Sequence, residues 1–223
     1  ISDDQIHFNA ITCKCIKPSI SAYRQSTGTR IWNKHNLTFD RIQAKTQDKY
    51  SLYLIGREDI EISEKENQYH YFVYSIQKNN GEVNWKYDFS QENRKIRIKK
   101  IYEKEENLFI EFLLDRELSI VAIRKKTGTF LWKKQWEADG YYLMRPVELV
   151  FYNQSVLLAL NEELYSLDKQ TGKTNWTYEF DDFEISSFSS FALKNGQILL
   201  GTDEDDFVLF DLEDQNIVWQ KPT

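Results

Sequence analysis

The chain has 223 residues, 41% of them apolar and 15% aromatic, with a net charge of −6. That is enough apolar material for a packed domain, and the acidic balance argues against nucleic acid as the main partner. No apolar run approaches the ~18 residues of a membrane-spanning helix, no secretory signal is present, and aromatic enrichment with only 3 Pro favours sheet over helix.

In chain order, the first expected element is "QIHF", residues 5–8. It is either a short innermost strand of a first sheet or the start of an incomplete one. Cys13 and Cys15, in "TCKC", are the only cysteines. At i and i+2 on a strand they would share a face, and the pair reads as small buried strand residues rather than as half of a zinc site. "STGTRIW" then forms a turn and a strand ending at Trp32. In the second unit "REDIEISEKEN" (57–67) reads as a long surface loop between its second and third strands, and "NNGEVNW" ends that unit at Trp85. "RKIRIKK", Arg94 to Lys100, is expected as the innermost strand of the third unit, with Ile96 and Ile98 facing a neighbouring sheet and Arg97 and Lys99 opposite. "KTGTFLW" closes the third unit at Trp132 and "QTGKTNW" the fourth at Trp176. The fifth contains strands at "ISSFSSFAL", "QILLGT", "FVLFDL" and "IVWQ", joined by turn-rich "KNG", "DEDD" and "EDQN".

These units are copies. Trp32, Trp85, Trp132, Trp176 and Trp219 are separated by 53, 47, 44 and 43 residues. Gly28, Gly81, Gly128 and Gly172 each stand four positions before their Trp, and Gln215 holds that place in the last copy. Ten positions before Trp comes a small residue, Ala22, Ser75, Ala122 or Ser166, with Leu209 the exception. Aromatic residues follow at two and four positions past Trp in Tyr87 and Phe89, and in Tyr178 and Phe180. Trp136 takes the second of these places in the third copy, whereas the first copy has Lys34 and Asn36. A period of ~45 residues with four short strands each is the signature of radially repeated sheets. Glycine at the turn fits a position of positive φ, and the Trp a ring wedged against the next sheet.

The pattern small-x-Asp-x-x-Thr-Gly-x-x-x-Trp, complete at Ser166, Asp168, Thr171, Gly172 and Trp176, resembles the tryptophan-docking repeat of the PQQ-like β-propellers. The other copies keep Gly and Trp but carry Arg24, Gln77 or Arg124 in place of the Asp. The resemblance implies an all-β propeller as a single domain over 1–223, and the five copies imply about five four-stranded blades, which either close with a short first strand at 5–8 or, with the first blade incomplete, form part of a larger ring. The chain begins with Ile rather than Met, so a processed form or a domain excised from a longer protein is expected. The family includes quinoprotein dehydrogenases, an envelope lipoprotein of outer-membrane protein assembly and many sensor ectodomains, which favours an extracytoplasmic setting. The quinoproteins of the family place adjacent cysteines on the quinone. Here Lys14 separates the pair, so no cofactor is carried over.

Propeller geometry puts the joints between second and third strands, and between blades, on one face. That set is acidic, and its candidate partner-binding residues are Glu58, Asp59, Glu61, Asp181, Asp182, Asp203, Glu204, Asp205 and Asp206. The joints between third and fourth strands lean basic. The three His are scattered, and no nucleophile elbow, phosphate loop or metal-binding His pair occurs. The function expected is a non-catalytic scaffold for a protein partner, a basic one on the acidic face. The alternative is a propeller that binds a small ligand or carbohydrate, or hydrolyses glycosides, at the channel mouth.

Overall fold

The computed structural model of the chain describes residues 6–13, 16–35, 37–63, 66–90, 95–137, 149–160, 162–180, 190–201 and 207–221. Those residues form five antiparallel sheets with no helix among them. The first sheet has three strands, β1 (Ile6–Cys13), β2 (Ile16–Arg24) and β3 (Arg30–Lys34). The second runs β4 (Arg41–Gln47), β5 (Ser51–Ser63), β6 (Glu66–Gln77) and β7 (Val83–Asp88). The third is β8 (Arg97–Lys104), β9 (Asn107–Leu114), β10 (Glu117–Arg124) and β11 (Phe130–Glu137). The fourth is β12 (Val150–Tyr152), β13 (Ser155–Leu160), β14 (Glu163–Asp168) and β15 (Thr174–Glu179). The fifth is β16 (Ser190–Lys194), β17 (Gln197–Gly201), β18 (Phe207–Asp211) and β19 (Asn216–Lys221). Every sheet is a meander, in which chain neighbours are sheet neighbours.

Each expected tryptophan lies on the last strand of its sheet. In register, Ala22 sits opposite Trp32, Ser75 opposite Trp85 and Ser166 opposite Trp176. The recurring small residue therefore leaves room beside the indole on the neighbouring strand. The ladder shifts by one immediately afterwards in each of these sheets, where the Gly turn brings the chain round. Gly28, Gly81, Gly128 and Gly172 have φ between +66 and +76, a region where a Cβ is penalised. Gln215 adopts φ 51 in the same place. In the fourth sheet Asp168 Oδ1 accepts from the Thr171 hydroxyl and from the N–H groups of Gln170 and Thr171. These bonds hold its carboxyl below the ordinary carboxylate value.

The chain divides into two compact units, residues 1–114 with 120–130, and residues 115–119 with 131–223. In the first unit the sheets are joined by two apolar clusters. One gathers Ile20, Leu37, Phe39, Leu52, Leu54, Phe72, Tyr74 and Ile76, with Trp32 packed on it. The other holds Ile55, Tyr71, Val73, Phe89, Ile96, Leu108, Ile110 and Phe112, with Trp85 packed on it. In the second unit Leu157, Phe180, Leu200, Val208 and Phe210 form the corresponding layer, with Trp176 and Tyr178 against it. The aromatic residues past each Trp supply the ring contacts. Phe89 meets Phe112 at 6.1 Å, Tyr178 meets Phe210 at 4.7 Å, and Trp136 meets Tyr165 at 5.7 Å. In the first copy, which lacks them, Phe39 does this work. It is 2% exposed and packs on Tyr74 and on the bare face of Gly56.

Two expectations change. Residues 6–8 are not a separate innermost strand, because they open the eight-residue β1, which pairs with β2 as a second strand does. Cys13 pairs with Ile16 at the end of β1, and Cys15 lies outside the described residues. In the third sheet the innermost strand, expected over Arg94 to Lys100, runs from Arg97 to Lys104 with a register shift between Ile98 and Lys100, while Ile96 is 2% exposed, Ile98 packs on the same cluster and Arg97 is exposed. Lys99 lies half-buried on β8, and burial lowers its pKa against the pull of Glu111.

The docking geometry is explicit. A Cβ on Gly81 would lie 2.7 Å from the Trp32 ring, whereas one on Gly28 would meet nothing within 4 Å, at similar φ. Gly28→Ala is therefore expected to cost only the left-handed backbone term, about 1 kcal/mol. Gly81→Ala adds overpacking against an indole, for about 3 kcal/mol in all. Urea unfolding of the two variants checks this, and equal losses would remove the ring contact as the cause.

Candidate functional site

The contact surface suggested by sequence was a loop at 57–67. It is instead a β-ribbon. β5 and β6 are 13 and 12 residues long, whereas no other strand among the described residues exceeds 9. Their pairing runs from Ser51 opposite Gln77 out to Ser63 opposite Glu66. The flanking strands stop early: β4 leaves β5 at Arg57, and β7 leaves β6 at Phe72. Beyond those points two strands continue alone, with Glu58 opposite His70, Asp59 opposite Tyr69 and Ile60 opposite Gln68.

Alternation assigns the two faces. Arg57, Asp59, Tyr69 and Tyr71 share one, and Glu58, Ile60, Gln68 and His70 share the other. The first face pins the ribbon at its base. The buried Arg57 side chain, 7% exposed, grips Asp59, with Nη2 donating to Oδ2 at 2.7 Å and Nε beside Oδ1 at 2.5 Å. Its guanidinium also lies 5.4 Å from the Tyr69 ring centroid. Burial works against the charge on Arg57, but the Asp59 carboxylate outweighs it and raises the guanidinium pKa. The Tyr71 hydroxyl donates to Ile96 O at 3.0 Å and accepts from Ile96 N–H at 2.9 Å, tying the ribbon to the next sheet.

The strand edges are clamped at the same level. Asp40 N–H donates to Arg57 O, and Asp40 Oδ2 accepts from Asp59 N–H at 2.8 Å. On the other edge Ser90 Oγ accepts from Tyr71 N–H, and Phe89 N–H donates to Tyr71 O. The opposite face carries half-buried Glu58 and 37% exposed Ile60.

Of the nine acidic candidates, Glu58 and Asp59 stand on this ribbon, and the backbone of Glu61 lies in β5. Asp59 is already engaged by Arg57, so it is a structural member of the set. Asp181, Asp182, Asp203, Glu204, Asp205 and Asp206 lie outside the described residues. Arg57, the anchor, was missed by sequence reading. A lone cation heading an acidic run was the available signal.

Three of the basic joints each turn one lysine into the fold, while Arg24, Arg30, Lys126 and Lys173 are exposed. Lys125 Nζ lies 2.5 Å from Glu103 Oε1 and 3.4 Å from Asp48 Oδ2. Lys78 Nζ donates to Asp48 O, and Lys169 is 3% exposed. The backbone carbonyls of these same three lysines accept the indole N–H groups of Trp85, Trp32 and Trp132, at 2.8–3.1 Å. At the other end of the β5–β6 hairpin a cavity of about 410 Å³ is lined by Lys49, Tyr50, Gln77, Asn79 and Asn84. Tyr50 stands 72% exposed at its rim.

An indole of one sheet, seated on a left-handed glycine of the next and donating to the carbonyl three residues before it, is thus repeated three times. A family model described as outer membrane protein assembly factor BamB matches residues 16–183. The chain belongs to this PQQ-like family. Among solved structures, BamB from Moraxella catarrhalis is 15% identical over 98% of this chain and 61% of its own, with a TM-score of 0.61. A europium-containing methanol dehydrogenase is 7% identical over 97% and 49%, at 0.62. Quinohemoprotein alcohol dehydrogenase from Comamonas testosteroni is 12% identical over 98% and 42%, at 0.61. The chain thus spans less than two thirds of each of these proteins. No curated protein sequence matches it. The PQQ-like fold is a multi-blade β-propeller, and the five sheets above are its blades.

Arg57 sets the ribbon's rigidity. Arg57→Ala leaves Asp59 without its guanidinium and removes the Tyr69 stack. Amide exchange in 58–63 and 66–70 is then expected to accelerate about tenfold, the equivalent of about 1.4 kcal/mol of local opening, with Leu54 and Val73 unchanged. Unaltered exchange in the ribbon would show that its rigidity has another source.

Proposed function

We propose that the chain is a non-catalytic scaffold of the PQQ-like family that holds a protein partner on the acidic ends of its blades. Residues 1–223 act in this reading as one propeller domain in an extracytoplasmic setting. One observation carries the proposal. The second blade spends its extra length on a pinned acidic ribbon rather than on a slack loop. A rigid projection lowers the ordering cost of association. Its carboxylates favour a basic partner and fast encounter. The family supports the class of activity, since its model is described as an outer membrane protein assembly factor. Asp181, Asp182 and Asp203 to Asp206 are proposed to belong to the same acidic surface.

The test is a photo-crosslinking amino acid placed in turn at Glu58, Asp182 and Asp205, in the cells that make the protein. One discrete protein adduct from these positions, absent when the probe stands at Tyr50, is expected. No adduct at any of the three, or the same adducts at Tyr50, would overturn the scaffold reading. Alcohol turnover after loading with pyrroloquinoline quinone would overturn its non-catalytic part.

A second reading, saccharide binding, is favoured by the cavity beside Tyr50. An exposed ring flanked by the Gln77, Asn79 and Asn84 amides supplies a stacking platform with donors and acceptors at its edge. A glycan array checks it. Binding reduced about tenfold or more by Tyr50→Ala is the expected signature, and an array with no hits removes the reading.

A further inference from the structure

The outer edge of the β5 ribbon, we infer, accepts an added strand from an extended, basic polypeptide segment. This rests on the scaffold reading and specifies how the ribbon would hold its partner. Asp59 N–H points away from β6, because it donates to Asp40 Oδ2 on the β4 side. Backbone groups alternate along a strand, so the N–H and C=O of Glu61 point the same way. Among the described residues, β4 pairs with β5 no further than Arg57. Past Asp59 the edge therefore offers strand-pairing groups with no strand laid against them.

An edge of this kind is ordinarily blunted, by bulges, by Pro or by charge. Here the register shifts only at the tip, between Glu61 and Ser63, and the stretch before it is blunted by charge. Residues 57–67 carry five carboxylates against Arg57 and Lys65, and Arg57 is committed to Asp59. Like charge repels a second copy of the same ribbon, which argues against self-pairing as the occupant. It favours a segment with Lys or Arg at alternate positions. Those share one face of the added strand, the register face of positions 59 and 61, and leave its apolar residues to the face of Ile60, which is 37% exposed. The Arg57–Asp59 grip and the Asp40 clamp hold this edge extended before anything binds, so main-chain bonds form with little further ordering.

The probe is a blocked, fluorescent peptide of about eight residues alternating Lys and Val, titrated into the full chain by anisotropy. Saturable binding is expected, weakened about tenfold by the double charge reversal Glu58→Lys/Glu61→Lys. A second variant, Glu61→Pro, removes the outward N–H near the ribbon tip, and N-methylation of alternate peptide residues removes the facing donors without touching charge. Each is expected to weaken binding about tenfold, as the loss of one or two main-chain bonds would. Amide exchange at Glu61 should slow when the parent peptide binds. No binding, or equal binding by the N-methylated peptide, or indifference to both protein variants, overturns strand addition. Crosslinks from Glu58 to a protein partner would persist in that case, so the scaffold reading would stand while its mode was rejected.

Discussion

The fold depends on a contact between an indole and a glycine of the next blade. Trp32 on Gly81, Trp85 on Gly128 and Trp132 on Gly172 bring ring carbons to where a Cβ would stand, 2.5–2.7 Å away. Two constraints meet there. The tight turn needs positive φ, and the ring needs the space that only a missing side chain leaves. The same indole donates its N–H to the carbonyl three residues before that glycine, so its one polar atom is satisfied without a side-chain partner. Each such bond contributes about 1 kcal/mol, small beside the burial of the ring, but it fixes the angle at which the ring enters. Identical contacts at successive joints allow sheets with little sequence in common to stack in one geometry.

This contact was legible in the sequence because each of its side-chain terms is a residue type at a fixed spacing. Gly four before Trp and a small residue ten before it are demanded by steric fit, and steric fit leaves few substitutes. The register confirms the second, with Ala22, Ser75 and Ser166 directly across from their indoles. The acceptor was not legible. It is a backbone carbonyl, which every residue carries, and the lysines that happen to supply it looked instead like a basic surface. Lys125 shows what such a lysine does inside the fold. Its ammonium is drawn into Glu103 and Asp48, and Asp48 in turn accepts from Tyr53 and from the N–H groups of Tyr50 and Ser51. Burial alone would raise the Asp48 pKa, yet these bonds and Lys125 hold it low.

The ribbon shows the opposite limit. "REDIEIS" alternates charged and apolar residues, the period of a strand, but its charge density and its place between two blade strands read as a loop. What decides it is tertiary. Tyr71 and Ile96 exchange two hydrogen bonds across 25 residues, and Asp40 reaches Asp59 across 19. Neither is visible in local pattern. Strand propensity is weak here, and the pairing partners, together with the Arg57–Asp59 pair, outweigh it.

The last blade tests how far the indole rule reaches. Leu209, not a small residue, faces Trp219, and Gln215 takes a left-handed conformation at φ 51 without glycine's freedom. Trp219 is 43% exposed, whereas Trp132, with its glycine seat and its carbonyl, is 6% exposed. Gly28, at the first turn, has left-handed φ but no ring on its open face. Trp132 makes the contact and is buried, with Ala122 ten residues before it. Where the ring stands in solvent, bulk returns across the strand. The same logic separates the ribbon's acids. Asp59 is held by Arg57 and Asp40 and answers to packing, while Glu58 stands half-buried on the opposite face of the ribbon.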